Sequence, residues 1–152
     1  MKLSIFTLCT NKIMGSLPSE LGFLKNMASF LIDDNHISGH IPSEIGNISP
    51  LSHFSASNNK LTGSLPSELG LLTSLTIFVA NINNLTGSLP FELGHLLNLI
   101  LLAMDGNQLS KTIPSEFGNL SQLVSFAVNS NNLTGFLPSE LGKLTQLQSF
   151  SL

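Results

Sequence analysis

The stretch Gly15-Ser16-Leu17-Pro18-Ser19-Glu20-Leu21-Gly22 returns, with small changes, along the whole chain. Its proline gives the phase: Pro18, Pro42, Pro66, Pro90, Pro114 and Pro138 recur at one constant interval. That interval falls within the range of roughly 20–50 residues at which a strict period means an array of stacked supersecondary units. Each unit buries its apolar face against its neighbours. In such an array function lies in the side chains that one face displays.

The segment from Met27 to Asn35 shows what lies between the prolines. Its apolar positions fit L-x-x-L-x-L-x-x-N, in which the alternating part predicts a strand and the asparagine ends it. The same frame recurs at Leu51 to Asn59, Leu75 to Asn83, Leu99 to Asn107 and Leu123 to Asn131. Partial copies stand at Phe6, Leu8 and Asn11 and at Leu147, Phe150 and Leu152, which makes seven strands with the last cut short. Phe6, Phe30, Phe54, Phe78, Phe126 and Phe150 share one inward column, broken by Leu102, and predict stacked rings. Asn11, Asn35, Asn59, Asn83, Asn107 and Asn131 form a second column, expected to act as a ladder of buried amides bonded to turn backbone. Proline followed by Ser-Glu suits the start of a short helical turn, and Glu20, Glu44, Glu68, Glu92, Glu116 and Glu140 read as solvated residues favoured at its N-terminus.

The full consensus is clearest in Asn132-Leu133-Thr134-Gly135-Phe136-Leu137-Pro138-Ser139-Glu140-Leu141-Gly142-Lys143-Leu144. This L-T-G-x-L-P-x-x-L-G-x-L form resembles the plant-type leucine-rich repeat of plant receptor-like kinases, receptor-like proteins and polygalacturonase inhibitors, found also in some algal proteins. The resemblance covers essentially the whole chain. It implies an α/β repeat: a leucine-rich-repeat solenoid with a concave parallel β-sheet and short 3-10 or helical turns on the convex side. Residues 1–152 are then one solenoid domain of about six full repeats plus a partial seventh strand. That family usually carries a cysteine-paired N-terminal cap, which is missing here. The expectation is a fragment lacking both caps, or a chain that self-associates through uncapped ends.

Composition narrows the function. The chain has no arginine, and its six lysines (Lys2, Lys12, Lys25, Lys60, Lys111, Lys143) are scattered, so no clustered basic face exists to bind nucleic acid. No apolar run is long enough to span a bilayer, so this segment is not expected to insert in a membrane. Residues 1–9 have a lysine and a short apolar run, as a leader would. They lack a small-residue cleavage pattern and fall on the repeat register, so the repeat reading is preferred. Cys9 stands alone and gives no disulfide evidence. No nucleophile motif, phosphate loop, kinase signature or paired-cysteine site occurs, so neither enzyme activity nor a cofactor is expected. His36 and His40 have the spacing of a helical metal pair but flank a turn, where that spacing does not put them on one face, and no metal site is expected. The sequons at Asn47, Asn84, Asn119 and Asn132 are candidates for N-glycosylation and, with the family resemblance, point to an extracellular or cell-surface setting within a longer protein.

Outward strand positions can be read coil by coil, and the middle coils differ from the rest. Ile77, Val79, Ile82, Leu101 and Ala103 make a contiguous apolar patch, bordered by His53, Asn81, Asp105 and Asn129. An apolar centre with a polar rim is the composition of a protein or peptide site. Departures from the consensus are Lys111-Thr112 for Gly-Ser, Phe91 for the serine after proline, and Phe136 two residues before Pro138. Both phenylalanines are expected to pack against a neighbouring coil, the alternative being exposure on one flank as a second contact surface. The resulting expectation is a non-catalytic, receptor-ectodomain-like module that binds a protein or peptide ligand on the concave sheet. The alternatives are a secreted inhibitor of polygalacturonase-inhibitor type and an ice- or polysaccharide-binding surface protein.

Overall fold

The computed structural model describes residues 3–152; Met1 and Lys2, which open the leader-like stretch, lie outside the described residues. Each coil contributes one three-residue strand to a seven-stranded parallel sheet. The strands are Ile5–Thr7, Ser29–Leu31, His53–Ser55, Ile77–Val79, Leu101–Ala103, Ser125–Ala127 and Ser149–Ser151, in chain order across the sheet. Repeat-equivalent residues pair, Phe30 with Phe54 and Phe54 with Phe78, so every column of the repeat becomes a row across the sheet. The middle residue of each strand points into the solenoid and its two neighbours point out, as the twofold alternation of a strand requires.

Between Met27 and Leu144 the stacked coils bury Leu, Ile and Phe, with Met27 and Met104, in one continuous core, and Leu8, Leu17 and Leu21 of the first coil pack partly buried against it. The phenylalanine column runs through it as expected. Phe6, Phe30, Phe54 and Phe78 stack at centroid distances of 5.2, 5.5 and 5.0 Å. After the interruption at Leu102, Phe126 stacks on Phe150 at 5.4 Å and receives Phe117 from the turn side at 5.8 Å.

Six 3-10 turns line the opposite side: Ser19–Phe23, Ser43–Asn47, Ser67–Leu71, Phe91–His95, Ser115–Asn119 and Ser139–Lys143. The proline stands just before each turn in extended conformation, and its carbonyl accepts the first turn bond, as in Leu69 N–H to Pro66 O at 3.2 Å. Proline thus fixes the chain's entry without removing a needed donor. Where serine follows proline its hydroxyl donates to the adjacent glutamate, as in Ser115 to Glu116 at 3.2 Å. Among the described residues no helix is long and apolar enough to cross a membrane.

A second sheet was not anticipated. Met14–Ser16, His36–Gly39, Lys60–Ser64, Asn84–Ser88, Gln108–Lys111 and Asn132–Leu133 form six parallel strands on the flank between the first sheet and the turns. Its register is different. Ser38 pairs with Lys60, Thr62 with Asn84, and Thr86 with Gln108, so partners fall two positions short of a full repeat and unlike residues become neighbours. Within these strands the glycine of L-T-G adopts a left-handed conformation, as at Gly63 with φ 75° and Gly87 with φ 78°. Lys111 takes the same conformation, φ 68°, with a side chain that disfavours it.

Phe91 and Phe136 do not pack under a neighbouring coil. Phe91 is 52% exposed, its ring edge-on to His95 at 6.4 Å, and Phe136 is 95% exposed. Several serines at the equivalent positions, Ser16 and Ser64 for Phe136 and Ser19 and Ser67 for Phe91, are exposed as well.

The last glycine of the opening motif has a steric reason. A Cβ built on Gly70 would lie 2.5 Å from the carbonyl oxygen of Glu92 in the next coil, and Gly22, Gly94 and Gly118 meet the equivalent atom. The coils can close to their observed separation on this side only if that position carries no side chain. Gly70→Ala is expected to destabilise the fold by about 1–3 kcal/mol through overpacking, read as a lowered thermal midpoint; an unchanged melt would contradict the close approach.

Candidate recognition face

The register of the seven-stranded sheet arranges its outward side chains in a grid. His53, Ile77, Leu101 and Ser125 form one row, and Ser55, Val79, Ala103 and Ala127 form the next. Beyond the strand ends stand Ser57, Asn81, Asp105 and Asn129, joined by backbone bonds such as Gly106 N–H to Asn129 O at 3.0 Å. Neighbouring rungs are separated by about 4.8 Å. Ile77, Val79, Leu101 and Ala103 therefore share one continuous apolar surface, each half-buried.

Ile82 differs from them. It is 55% exposed and has φ 54°, a region that β-branched residues seldom occupy. The equivalent position holds Asp34, Asn58, Gly106 and Ser130 in other coils, residue types that tolerate this conformation more readily. Neither burial nor backbone preference accounts for an isoleucine there.

Polar residues on the N-terminal side of the patch are largely engaged with one another. Asp33 Oδ1 accepts from Ser55 Oγ at 2.6 Å and from Ser57 N–H at 2.8 Å, and Asp33 Oδ2 accepts from Cys9 Sγ at 3.5 Å. Ser57 Oγ donates to Asn81 Oδ1 at 2.6 Å, and Asn58 Nδ2 donates to Asp34 at 2.7 Å. Ser52 Oγ donates to Ala28 O, so its contact with His53 Nδ1 at 2.8 Å requires that nitrogen to carry the proton. This leaves His53 Nε2 uncommitted at the rim. Such engagement could not be read from the sequence, because it depends on which rotamers neighbouring coils allow.

The asparagine column lies beneath the edge of this face. Asn83 Nδ2 donates to Ala56 O at 2.9 Å in the preceding coil and to Ala80 O and Asn81 O at 3.2 and 3.3 Å in its own, while its Oδ1 accepts from Leu61 N–H at 2.9 Å. Asn35, Asn59, Asn107 and Asn131 repeat the pattern, as in Asn131 Oδ1 accepting from Leu109 N–H at 2.9 Å. Asn11 is exposed and bonds only its own coil, to Leu8 O and Cys9 O.

Other candidate residues lie away from the face. The side chains of Asn47, Asn84, Asn119 and Asn132 are exposed, the first and third on 3-10 turns and the others on the flank sheet. His36 and His40 are on the flank; His40 Nδ1 lies 3.2 Å from Thr62 O and its ring covers Gly63. Among the described residues no three His, Cys, Asp or Glu side chains converge on a common point.

The Leucine Rich Repeat family model matches residues 50–72, 98–120 and 122–144. Among solved structures, the plant peptide hormone receptor RGFR1 in complex with RGF2 is 36% identical with a TM-score of 0.98, covering 99% of this chain and 24% of that one. The BIR3–SERK2 complex from Arabidopsis thaliana is 32% identical with a TM-score of 0.74, covering 88% of this chain and 70% of its counterpart. A plant ice-binding protein is 29% identical with a TM-score of 0.84, covering 90% of this chain and 44% of that one. No curated protein matches the chain. The chain belongs to the plant-type leucine-rich-repeat family and is similar to receptor-kinase ectodomains, of which it spans about a quarter of the hormone receptor's length.

Two substitutions test the energetics. Asn83→Ala leaves the Leu61 N–H without its partner and the Ala56 carbonyl with only a 3.5 Å bond from Asn59 Nδ2, and is expected to lower stability by about 1–3 kcal/mol; a thermal melt identical to wild type would refute the bridging role. Ile82→Asn relieves the left-handed strain and is expected to raise stability by about 1 kcal/mol, measured by urea unfolding.

Proposed function

We propose that the chain is a non-catalytic recognition module of the receptor-ectodomain kind, taking a peptide or protein on the concave seven-stranded face in an extracellular or cell-surface setting. The observation that carries this reading is the apolar surface of Ile77, Val79, Leu101 and Ala103, with exposed Ile82 at its edge. These side chains point away from the buried column of the core. A cluster of this kind, rimmed by His53, Asn81, Asp105 and Asn129, suits desolvation against an apolar partner with polar groups fixing its orientation. The likeness to a hormone receptor solved with a ligand supports the same use of the fold. Inhibition of a secreted wall hydrolase would use this face too, and among the described residues the absence of lysine and arginine from it weighs against that reading.

A second reading, adsorption to ice or polysaccharide, draws on the likeness to a plant ice-binding protein. Such adsorption calls for repeated identical hydroxyls. The flank sheet offers only short hydroxyl pairs, Ser64 beside Thr86 and Ser88 beside Ser110, interrupted where Ser38 meets Lys60 and Thr62 meets Asn84.

Capture of secreted peptides and proteins should be lost in a Val79→Asp plus Leu101→Asp variant whose thermal midpoint matches wild type. Capture that survives the double change moves the site off this face. An ice-recrystallisation assay is expected to show no inhibition, and activity there would favour the second reading.

A further inference from the structure

Among the described residues the charges on the recognition face are all of one sign. Asp33, Asp34 and Asp105 lie on it, the chain has no arginine, and every described lysine lies elsewhere. Lys60 and Lys111 are on the flank sheet, Lys143 ends the last 3-10 turn, Lys12 follows the first asparagine, and Lys25 Nζ donates to Asn47 O at 3.1 Å. The three carboxylates are not equivalent. Asp33 accepts two strong bonds and a thiol contact, and Asp34 accepts from Asn58. Asp105 is engaged only through its backbone carbonyl, by Ile82 N–H and Asn107 Nδ2. Asp105 is a half-buried residue two positions beyond Ala103, about 7 Å along the same face.

A carboxylate without a hydrogen-bond donor of its own, set beside apolar surface, is complemented by a cationic partner, and an anionic partner there would be repelled. We infer that the occupant of this face is an extended peptide carrying a lysine or arginine close to its apolar residues, with the Asp105 carboxylate receiving the cation. The inference rests on the recognition reading above and adds the ligand's charge to it. A lysine or arginine stem can lie along Leu101 and Ala103 while its head reaches the carboxylate. Asp33 and Asp34, already bonded to their neighbours, contribute field but no free acceptor geometry of the same kind.

The test uses the whole chain and three fluorescent nonapeptides that alternate valine with lysine, with serine or with glutamate, followed by fluorescence polarisation at low and high salt. The lysine peptide is expected to bind at least about tenfold more tightly than the glutamate peptide, with the preference shrinking as salt rises. Asp105→Asn should remove most of that preference, and Asp34→Asn should leave it nearly unchanged. Asn81 and Asn129 already occupy the equivalent position of Asp105, so the fold accommodates the first change. Equal binding of the lysine and glutamate peptides, or no effect of Asp105→Asn, overturns the inference, as does failure of all three peptides to bind. Val79→Ser plus Leu101→Ser separates the two readings. Charge-independent binding lost in that variant would keep the face and discard the cation, whereas lysine-peptide binding that ignores it would discard both.

Discussion

Each buried asparagine amide closes two coils at once, and the stacking of the chain depends on that closure. A turn at the end of every strand leaves backbone groups pointing into a dry interior, where an unpaired donor or acceptor is expensive. The Asn83 amide answers an N–H and a carbonyl from the coil before it and two carbonyls from its own. Asn11 shows the other half of the arrangement: with only its own coil's carbonyls bonded, it remains exposed. The phenylalanine stack and the aliphatic core supply more buried area, but the amides set which residue of one coil faces which residue of the next.

Much of this architecture was legible because one period governed several columns. Strand positions, the stacked rings and the gap at Leu102 all followed from alternation within a single repeating frame. The flank sheet was not legible, and the reason is local. Its strands contain a left-handed glycine, which weakens any strand pattern, and its partners fall short of a full repeat, so lining up equivalent positions does not reveal them. Lys111 hides the same feature further by occupying the glycine position with a residue that gives no hint of φ 68°. At Phe91 and Phe136 hydrophobic identity favoured burial against a neighbouring coil, yet both rings are exposed, Phe136 almost fully.

On the recognition face the outward set could be enumerated from alternation alone, since residues two apart share a side of a strand. What the residue types could not reveal was engagement. Asp33 and Asp105 occupy equivalent positions in different coils, yet one is bonded by Ser55 and Ser57 and the other's carboxylate is bonded by neither of its neighbours Asn81 and Asn129. The difference arises in the adjoining coil: a serine in the next strand can donate, whereas Ala127 at the corresponding place after Asp105 cannot. The strain at Ile82 was hidden for a similar reason, since φ is a property of the turn and not of the residue placed in it.

The two registers have a consequence for how such a chain can change over generations. Pairing between coils follows a fixed offset in each sheet, one whole period in the first and two positions less on the flank, and every coil presents the same offsets to both neighbours. Losing or duplicating one whole coil leaves all remaining offsets intact, while a residue inserted within a strand turns the side chains beyond it to the opposite face. The apolar patch obeys a different rule, because Ile77 and Val79 belong to one coil and Leu101, Ala103 and Asp105 to the next. Array length can therefore drift by units of one coil, but the face is inherited only as an adjacent pair.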